Sequence, residues 1–231
     1  MADPNPKIHD RVRVALLELC LKATKAMSPT QCQTFRNELE TRYLPRVAQA
    51  FKASMTAVAM VENVVATHLA IRKARGQGMM SDSQFAMILL LEYLAISEGV
   101  FKQELRLIAF LAVQTGTGIE NKGKVVPVKS IDDLQGPQFG TEHLARHARR
   151  AGFGEALEEI FDNRVRRAIA HFDFAVDEEG NVDFYDTDAK GERRHVCRAS
   201  INQMQQMNWR LRDFCCSFSM VLADYAAAEL D

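Results

Sequence analysis

Apolar residues recur every three or four positions between residues 7 and 26, which is the period of one face of an α-helix. The residues of this stripe are Ile8, Val12, Ala15, Leu16 and Leu19. Ser28 and Pro29 follow, and proline disfavours a helical conformation in the residue before it. The pattern therefore predicts one amphipathic helix that ends before Ser28.

Two more helices are predicted in the first third of the chain. One covers about residues 30–44. Pro45 suits the first turn of the next helix, because the backbone N–H that proline lacks has no partner there. This third helix is predicted to run to residue 75, before Gly76 and Gly78. Residues 1–80 are thus expected to form an N-terminal helical extension.

Residues 82–113 carry apolar residues on two sides of a predicted helix. One stripe is Phe85, Leu89, Ile96, Val100, Leu107 and Phe110, and the other is Met87, Leu90, Leu94, Phe101, Leu105 and Ile108. A helix that is apolar on two sides is predicted to lie at the centre of a fold. Glu92 falls on the first stripe, where an unpaired carboxylate would be costly to bury. Either Glu92 lies near an edge and reaches solvent, or it pairs with an arginine of residues 164–174.

The rest of the chain predicts a loop, two helices, a hairpin and a last helix. Residues 115–140 hold five of the 12 glycines and two of the 6 prolines, which predicts a long loop with a short strand at 125–128. Helices are predicted at 141–151 and 155–171, followed by a β-hairpin at about 172–198 and a last helix at 201–230. We predict a mostly α fold, with a helical bundle over residues 81–231 and a small β-hairpin inserted before the last helix.

Composition narrows the class of protein. The chain has 231 residues, of which 47% are hydrophobic and 26% charged, as is typical of a globular protein. Its net charge of −1 at pH 7 gives no overall field for nucleic acid, so such binding needs a local patch. The five cysteines include no Cys-x-x-Cys pair, as expected of reduced thiols in the cytoplasm. The sequence contains neither a signal peptide nor an uncharged run of about 18 residues, so we expect no membrane insertion.

The segment RVRRAIAHFDF, which begins at Arg164, holds the candidate chemistry. On a helix, one buried stripe would consist of Phe161, Val165, Ala168, Ile169 and Phe172. His171 lies on the flank of this stripe, on a polar edge that it shares with Arg164 and Arg167. Arg166 points away from His171, so the two meet only if the helix loosens or ends near Ala170.

Arginine and histidine together suit the cleavage of a phosphodiester. Arginine carries a permanent charge on a planar fork that fits a phosphate, and histidine is the side chain whose ordinary pKa lies closest to neutral pH. In RNA, a base that removes the 2′-hydroxyl proton lets that oxygen attack the adjacent phosphorus without a metal. One histidine per chain cannot easily serve as both base and acid, so a two-fold dimer would supply the second. The alternative is that the arginines form a solvated surface and His171 caps a helix.

The string RVRRAIAHFDFAVDEEGNVDFYD resembles the motif of the HEPN superfamily, in which an arginine and a histidine separated by four to six residues end a bundle helix. Arg166 and His171 match the spacing with four residues between them, and Arg164 and His171 match it with six. A second arginine, Arg167, stands where many members have asparagine or another polar residue. The resemblance covers about residues 82–230.

The resemblance implies a HEPN-like helical bundle, usually dimeric, which in many members is a metal-independent endoribonuclease of toxin–antitoxin, phage-defence or RNA-processing systems. It implies His171 as the catalytic acid/base and Arg166 as the phosphate clamp, with Arg164 and Arg167 as supporting phosphate contacts. Glu92 is the candidate orienting carboxylate. The resemblance implies no metal and no cofactor. The expected partners are RNA, a second copy of the chain and a cognate antitoxin or another partner protein.

Some members of the superfamily are inactive and serve as binding or assembly modules. The alternative function is therefore a non-catalytic, HEPN-like interaction or nucleotide-binding module that dimerises and binds a partner protein. In that case the loop at 115–140 and the hairpin at 172–198 would contact the partner. The two functions share a fold and differ in whether His171 is needed for chemistry.

Overall fold

The structure, a computed structural model, describes residues 6–74, 80–121, 124–187 and 191–228. It is mostly helical, which confirms the predicted fold class at that level. The helices are α1 (Pro6–Ala26), α2 (Pro29–Glu38), α3 (Leu44–Ala74), α4 (Asp82–Glu98), α5 (Val100–Gln114), α6 (Thr141–Ala148), α7 (Gly154–Ile160), α8 (Asn163–Ala170) and α9 (Ile201–Ala228). The strands are β1 (Ile119–Asn121), β2 (Lys124–Val126), β3 (Phe174–Val176), β4 (Val182–Thr187) and β5 (Arg193–Ala199). Short π-helical segments span Leu39–Tyr43 and Arg149–Phe153, and a 3-10 turn spans Ile131–Gln135.

The first predicted helix is confirmed as α1. The second and third are helical as predicted but are not separate, because α2 continues through the π-helical segment Leu39–Tyr43 directly into α3, so the prediction that Pro45 opens a new helix is wrong. In α1 the predicted stripe is buried, and Val12 and Leu16 are fully so. Ser28 caps α2, because its hydroxyl accepts the Gln31 backbone N–H at 3.3 Å while the Gln31 side chain accepts the Ser28 N–H at 2.8 Å. The predicted end of the third helix at Gly76 and Gly78 lies outside the described residues.

The chain divides into two compact units. The first, called the α1 unit, comprises Met1–Phe51, Val100–Ile160 and Arg212–Asp231. The second, called the α8 unit, comprises Lys52–Gly99 and Phe161–Leu211. The sequence predicts an extension at 1–80 and a bundle at 81–231. Each of the two units contains residues from both ranges, because the units group residues by contact and not by order along the chain. The boundary at residue 80 therefore stays a prediction.

An aromatic cluster forms the centre of the α1 unit. The rings of Phe214 and Phe218 in α9 have centroids 6.2 Å apart, and both approach Phe153. Phe101 of α5 packs edge-on against Phe214, with 5.5 Å between the centroids. Burial of each phenylalanine stabilises the fold by about 1.5–3 kcal/mol relative to exposure. The cluster therefore holds α5, α9 and the π-helical segment before α7 together.

Gly99 interrupts the helix that the sequence predicts over residues 82–113, so the prediction of one continuous helix is wrong. α4 ends at Glu98, Gly99 has φ −89° and ψ −110°, and α5 begins at Val100. A Cβ at Gly99 would lie 2.2 Å from the Ser54 hydroxyl and 2.6 Å from the Ala95 carbonyl oxygen. The close approach of α3 to α4 within the α8 unit thus requires glycine at this position.

The helix predicted over 155–171 is also divided in two, and the prediction of one helix is wrong. α7 ends at Ile160, and α8 begins at Asn163 after a new N-cap. Asp162 is that cap, because its carboxylate accepts the backbone N–H of Arg164 at 2.8 Å. The short helix α8 therefore has a start of its own, which fixes the direction of the segment that carries His171.

The predicted β-hairpin is a three-stranded antiparallel sheet, in the order β3-β4-β5. Phe174 of β3 pairs with Phe184 of β4, and Val182 of β4 pairs with Ala199 of β5. The β3–β4 turn contains Gly180 at φ +77°, where a Cβ would lie 2.7 Å from the Asp82 carbonyl oxygen. The strand predicted at 125–128 is β2, which pairs with β1.

One helical stretch, Asp82–Gln114, is long and apolar enough to cross a membrane by length and composition. Half of its most apolar part is buried inside the fold, and a single stretch of this kind among the described residues is weak evidence for a membrane span. The break at Gly99 leaves helices of 17 and 15 residues, which are shorter than the roughly 20 residues that span a bilayer. The stretch is therefore compatible with a soluble protein.

Candidate functional site

The arginine and histidine residues of the motif lie on α8 and at its C-terminal end. The apolar side of α8 consists of Val165, Ala168 and Ile169, which are buried as predicted. This amphipathic helix packs against α4 and β4 of the α8 unit, which leaves Arg164 exposed and Arg166 and Arg167 partly buried. The position of each motif side chain is thus set by one short helix and its neighbours.

The C-terminal end of α8 is a Schellman motif. The N–H of Asp173 donates to the Ala168 carbonyl at 2.7 Å, and the N–H of Phe172 donates to the Ile169 carbonyl at 3.2 Å. His171 is the C-cap, and Phe172 follows in the left-handed region with φ 56°. The helix therefore ends at Ala170, which is the condition predicted for Arg166 to meet His171, but Arg166 pairs with Glu98 and no hydrogen bond between these described residues joins it to His171. The predicted burial of Phe172 is wrong, because the apolar period of the helix does not continue past this end and Phe172 is 72% exposed.

His171 is exposed at this helix end. Within the part of the chain that the structure describes, no side-chain hydrogen bond holds its imidazole, but the charge of His171 acts on the neighbouring Asp173 carboxylate and helps to lower the pKa of that group. Its backbone N–H donates to the Arg167 carbonyl at 3.0 Å, so Arg167 lies one turn before it. An exposed imidazole that no side-chain hydrogen bond holds is accessible to a bound substrate.

Arg166 pairs with Glu98, the last residue of α4. Both Nε and Nη2 of Arg166 donate to Glu98 Oε1. The arginine side chain is 17% exposed and the carboxylate 30%, so the pair lies mostly under the surface. Glu98 was missed by sequence reasoning, although a carboxylate at the C-terminal end of a helix opposes the helix dipole and signals the need for a basic partner.

Glu92 lies elsewhere in the α8 unit. It is 8% exposed, and its Oε2 accepts a hydrogen bond from Asn208 Nδ2 at 3.1 Å. The same Asn208 amide donates to the Leu89 carbonyl at 3.0 Å. The prediction that Glu92 reaches solvent is therefore wrong, whereas its role as an orienting carboxylate stays a prediction; the carboxylate that pairs with Arg166 is Glu98.

The other two arginines of α8 also pair with carboxylates. Arg164 donates through Nη2 to Asp162 at 2.9 Å, and its side chain is 62% exposed. Arg167 pairs with Asp186 of β4, and its side chain is 35% exposed. All three arginines of the motif are thus balanced by carboxylates of the same chain.

A polar network continues from the helix end into the sheet. Asp173 accepts Arg193 Nε at 2.6 Å and also accepts the Thr187 hydroxyl. The hydrogen bond from Thr187 and then the Arg193 guanidinium lower the pKa of Asp173 below its ordinary value. The Arg193 guanidinium lies 3.6 Å above the centre of the Tyr185 ring. The network fixes the residue that follows Phe172 to β4 and β5.

No cluster of three or more His, Cys, Asp or Glu side chains that could hold a metal ion occurs among the described residues. No family model matches the chain, and comparisons with curated proteins and with solved structures give no significant match. The functional interpretation therefore rests on the geometry around α8.

Proposed function

We propose that the protein is a metal-independent endoribonuclease of the HEPN type, acting in the cytoplasm as a homodimer. The observation that carries this proposal is the exposed imidazole of His171, which stands next to the Asp173 carboxylate at the end of a helix that also bears Arg166 and Arg167. The five cysteines are free, which fits a reducing compartment. A toxin or phage-defence role, with a cognate antitoxin as partner, would follow from the same chemistry.

In the proposed reaction His171 removes the proton of a 2′-hydroxyl, and the 2′-oxygen bonds to the adjacent phosphorus. The bond from phosphorus to the 5′-oxygen breaks, and the departing oxygen takes a proton from the protonated His171 of a second copy. The products are a 2′,3′-cyclic phosphate and a 5′-hydroxyl. Arginine stabilises the charge that develops on the phosphoryl oxygens.

A phosphate that binds at the motif must replace a carboxylate as the partner of an arginine. Arg164 and Arg167 are the more exposed of the three arginines, so a phosphate can reach them without opening a buried pair. Arg166 is held under the surface by Glu98, and it contacts phosphate only if that ion pair opens. We therefore assign the first phosphate contacts to Arg164 and Arg167, and the clamp at the reacting phosphate to Arg166.

The test is cleavage of end-labelled RNA in the presence of a chelator by the wild type, His171→Ala and His195→Ala. His195 is a matched control, because it is also an exposed histidine of the α8 unit but has Nε2 paired with Asp183 at 3.0 Å. Loss of a general acid/base is expected to slow cleavage by about 10²–10⁴-fold in His171→Ala, and His195→Ala should cleave normally. Absence of cleavage by the wild type, or equal loss in both variants, would refute the proposal.

A second candidate is a non-catalytic module that dimerises and binds a partner protein or nucleotide through residues 115–140 and the sheet. The observation that favours it is the pairing of every motif arginine with a carboxylate of the same chain. In this case His171→Ala would leave partner binding intact. Co-purification of one defined partner, together with no cleavage of RNA, would favour the binding module.

A further inference from the structure

Phe172 is held in a backbone conformation that an aromatic residue rarely adopts. Its φ is 56°, and among the described residues it is the only one other than glycine with positive φ. It occupies the position after the C-cap of α8, where glycine is the usual choice because it lacks a Cβ. A bulky residue there is a true outlier, and such outliers are concentrated at functional sites.

The helix end does not explain the aromatic ring. In a Schellman motif the accompanying apolar contact is made by the residue after this one, and here that residue is Asp173. The Phe172 ring is 72% exposed, and its centroid lies 6.2 Å from that of Phe174. The rest of the ring faces solvent. Glycine would satisfy the backbone at this position better, so the helix end does not account for the aromatic ring.

The groups next to Phe172 suit a nucleotide. His171 precedes it, and Arg167 lies one turn earlier on α8. Asp173 follows it and holds Arg193 at 2.6 Å. An exposed aromatic ring and arginines can together bind both parts of a nucleotide, because the base stacks on the ring and the phosphate pairs with arginine.

We propose that Phe172 is the stacking surface for an unpaired base of the RNA that His171 cleaves, an inference that rests on the proposed ribonuclease function. Bases inside a duplex are stacked on one another, so a side chain can stack on a base only where the strand is single or the base is turned out. The site therefore selects single-stranded RNA. Stacking also fixes one nucleotide beside the imidazole, which is the placement that attack by its 2′-hydroxyl needs.

The test measures binding of fluorescently labelled single-stranded RNA of about ten nucleotides by anisotropy. All proteins carry His171→Ala, so that no RNA is cleaved during the measurement. Phe172→Gly is expected to raise Kd by about 5- to 150-fold, the range for loss of one stacked base. Phe172→Trp should bind as tightly as the parent. Phe172→Leu, which keeps an apolar side chain without a ring, should weaken binding as Phe172→Gly does.

Thermal unfolding of the same variants separates this role from a structural one. Glycine removes the strain at φ 56°, so Phe172→Gly is expected to have a Tm equal to or above that of its parent. A Tm that falls by more than about 4 °C would show that the ring supports the fold, and it would overturn the proposal. Weaker RNA binding with an unchanged Tm supports it.

Two results of the binding assay would overturn the stacking role: equal RNA binding by Phe172→Gly and its parent, or no RNA binding by either protein. A third such result would come from sedimentation velocity, if Phe172→Gly were a monomer and its parent a dimer. The last result would identify a second copy of the chain as the occupant. The ribonuclease function is judged separately, by cleavage in proteins that keep His171. If Phe172→Gly cleaves RNA as fast as the wild type, only the stacking role is refuted. If RNA binding depends on Phe172 but the wild type cleaves no RNA, only the ribonuclease function is refuted.

Discussion

Removal of Arg166 is expected to destabilise the α8 unit by more than removal of any surface arginine of the same helix. Arg166→Ala breaks the pair with Glu98 and leaves that carboxylate at the C-terminal end of α4, where the helix dipole disfavours negative charge. Arg164→Ala breaks the corresponding pair with Asp162 at the other end of α8. The two variants remove the same side chain from the same helix, and they differ in how deeply the ion pair is buried.

The expected size follows from the exposure of the two pairs. Arg166 and Glu98 are 17% and 30% exposed, whereas Arg164 and Asp162 are 62% and 37% exposed. Hydrogen bonds to charged groups contribute about 1.5–3 kcal/mol, and exposed ion pairs about 0.2–1 kcal/mol. We therefore expect a coupling energy of about 1.5 kcal/mol between Arg166 and Glu98, against less than about 0.5 kcal/mol between Arg164 and Asp162.

A double-mutant cycle measures these coupling energies. Arg166→Ala, Glu98→Ala and the double variant are unfolded in urea and followed by circular dichroism, and the Arg164 and Asp162 variants are treated in the same way. A loss of about 1.5 kcal/mol in Arg166→Ala should lower the Tm by about 3–6 °C in a chain of 231 residues. A coupling energy at Arg166 and Glu98 no larger than that at Arg164 and Asp162 would refute the reasoning from burial.

Two further predictions concern stability. Burial raises the pKa of Glu104 well above that of an ordinary carboxyl group. The contribution of Glu104 to the free energy of unfolding is therefore complete below the ordinary pKa of a carboxyl group. It is lost at about 1.4 kcal/mol per pH unit as the pH rises from the ordinary pKa toward the raised one. Thermal unfolding of Glu104→Gln against pH should lack this loss, and profiles parallel to the wild type would contradict it. Gly180→Ala should destabilise the fold by about 1–3 kcal/mol in urea unfolding, because φ is +77° and the new Cβ would lie 2.6 Å from Ile201. Gly191→Ala, at φ +82° with open space around it, is the control and should cost less.

The helices that could be predicted from the sequence are those whose apolar period is local. Val12 and Leu16 of α1 are fully buried, and so are Leu211 and Phe214 of α9. Each of these side chains contributes to a stripe that repeats every three or four residues, and such a stripe must face a core in any mostly α fold. The period alone was enough to predict these faces.

The breaks in helices could not be predicted in the same way, because they depend on residues far along the chain. Gly99 interrupts the predicted central helix where a Cβ would collide with Ser54, which lies on another helix. Phe172 fits the apolar stripe of α8 by spacing, but the helix ends two residues earlier and turns its ring to solvent. A continuous apolar pattern is compatible with either arrangement, so only the three-dimensional contacts decide between them.

The candidate site was predicted in its residue types but not in its pairing. The arginines lie on α8 and His171 caps its end, whereas Arg166 pairs with Glu98, a carboxylate that the apolar pattern does not single out. Glu92 and Glu98 both belong to α4, and periodicity does not indicate which of them reaches α8. The position of Glu98 at the end of its helix is the physical signal that could have found it.

The pairing of the arginines and the exposure of Phe172 together restrict how RNA could bind at this site. Because Arg164, Arg166 and Arg167 already have carboxylate partners, a phosphate gains only the difference between its own contact and the one that it replaces. Phosphate contacts alone would then bind RNA weakly, and a base stacked on Phe172 would supply energy that no carboxylate competes for. One chain still provides a single His171 at this surface, so the acid of the proposed reaction must come from a second copy. A second copy that buried Phe172 would exclude the base, and so the dimer that completes the chemistry must leave this ring exposed.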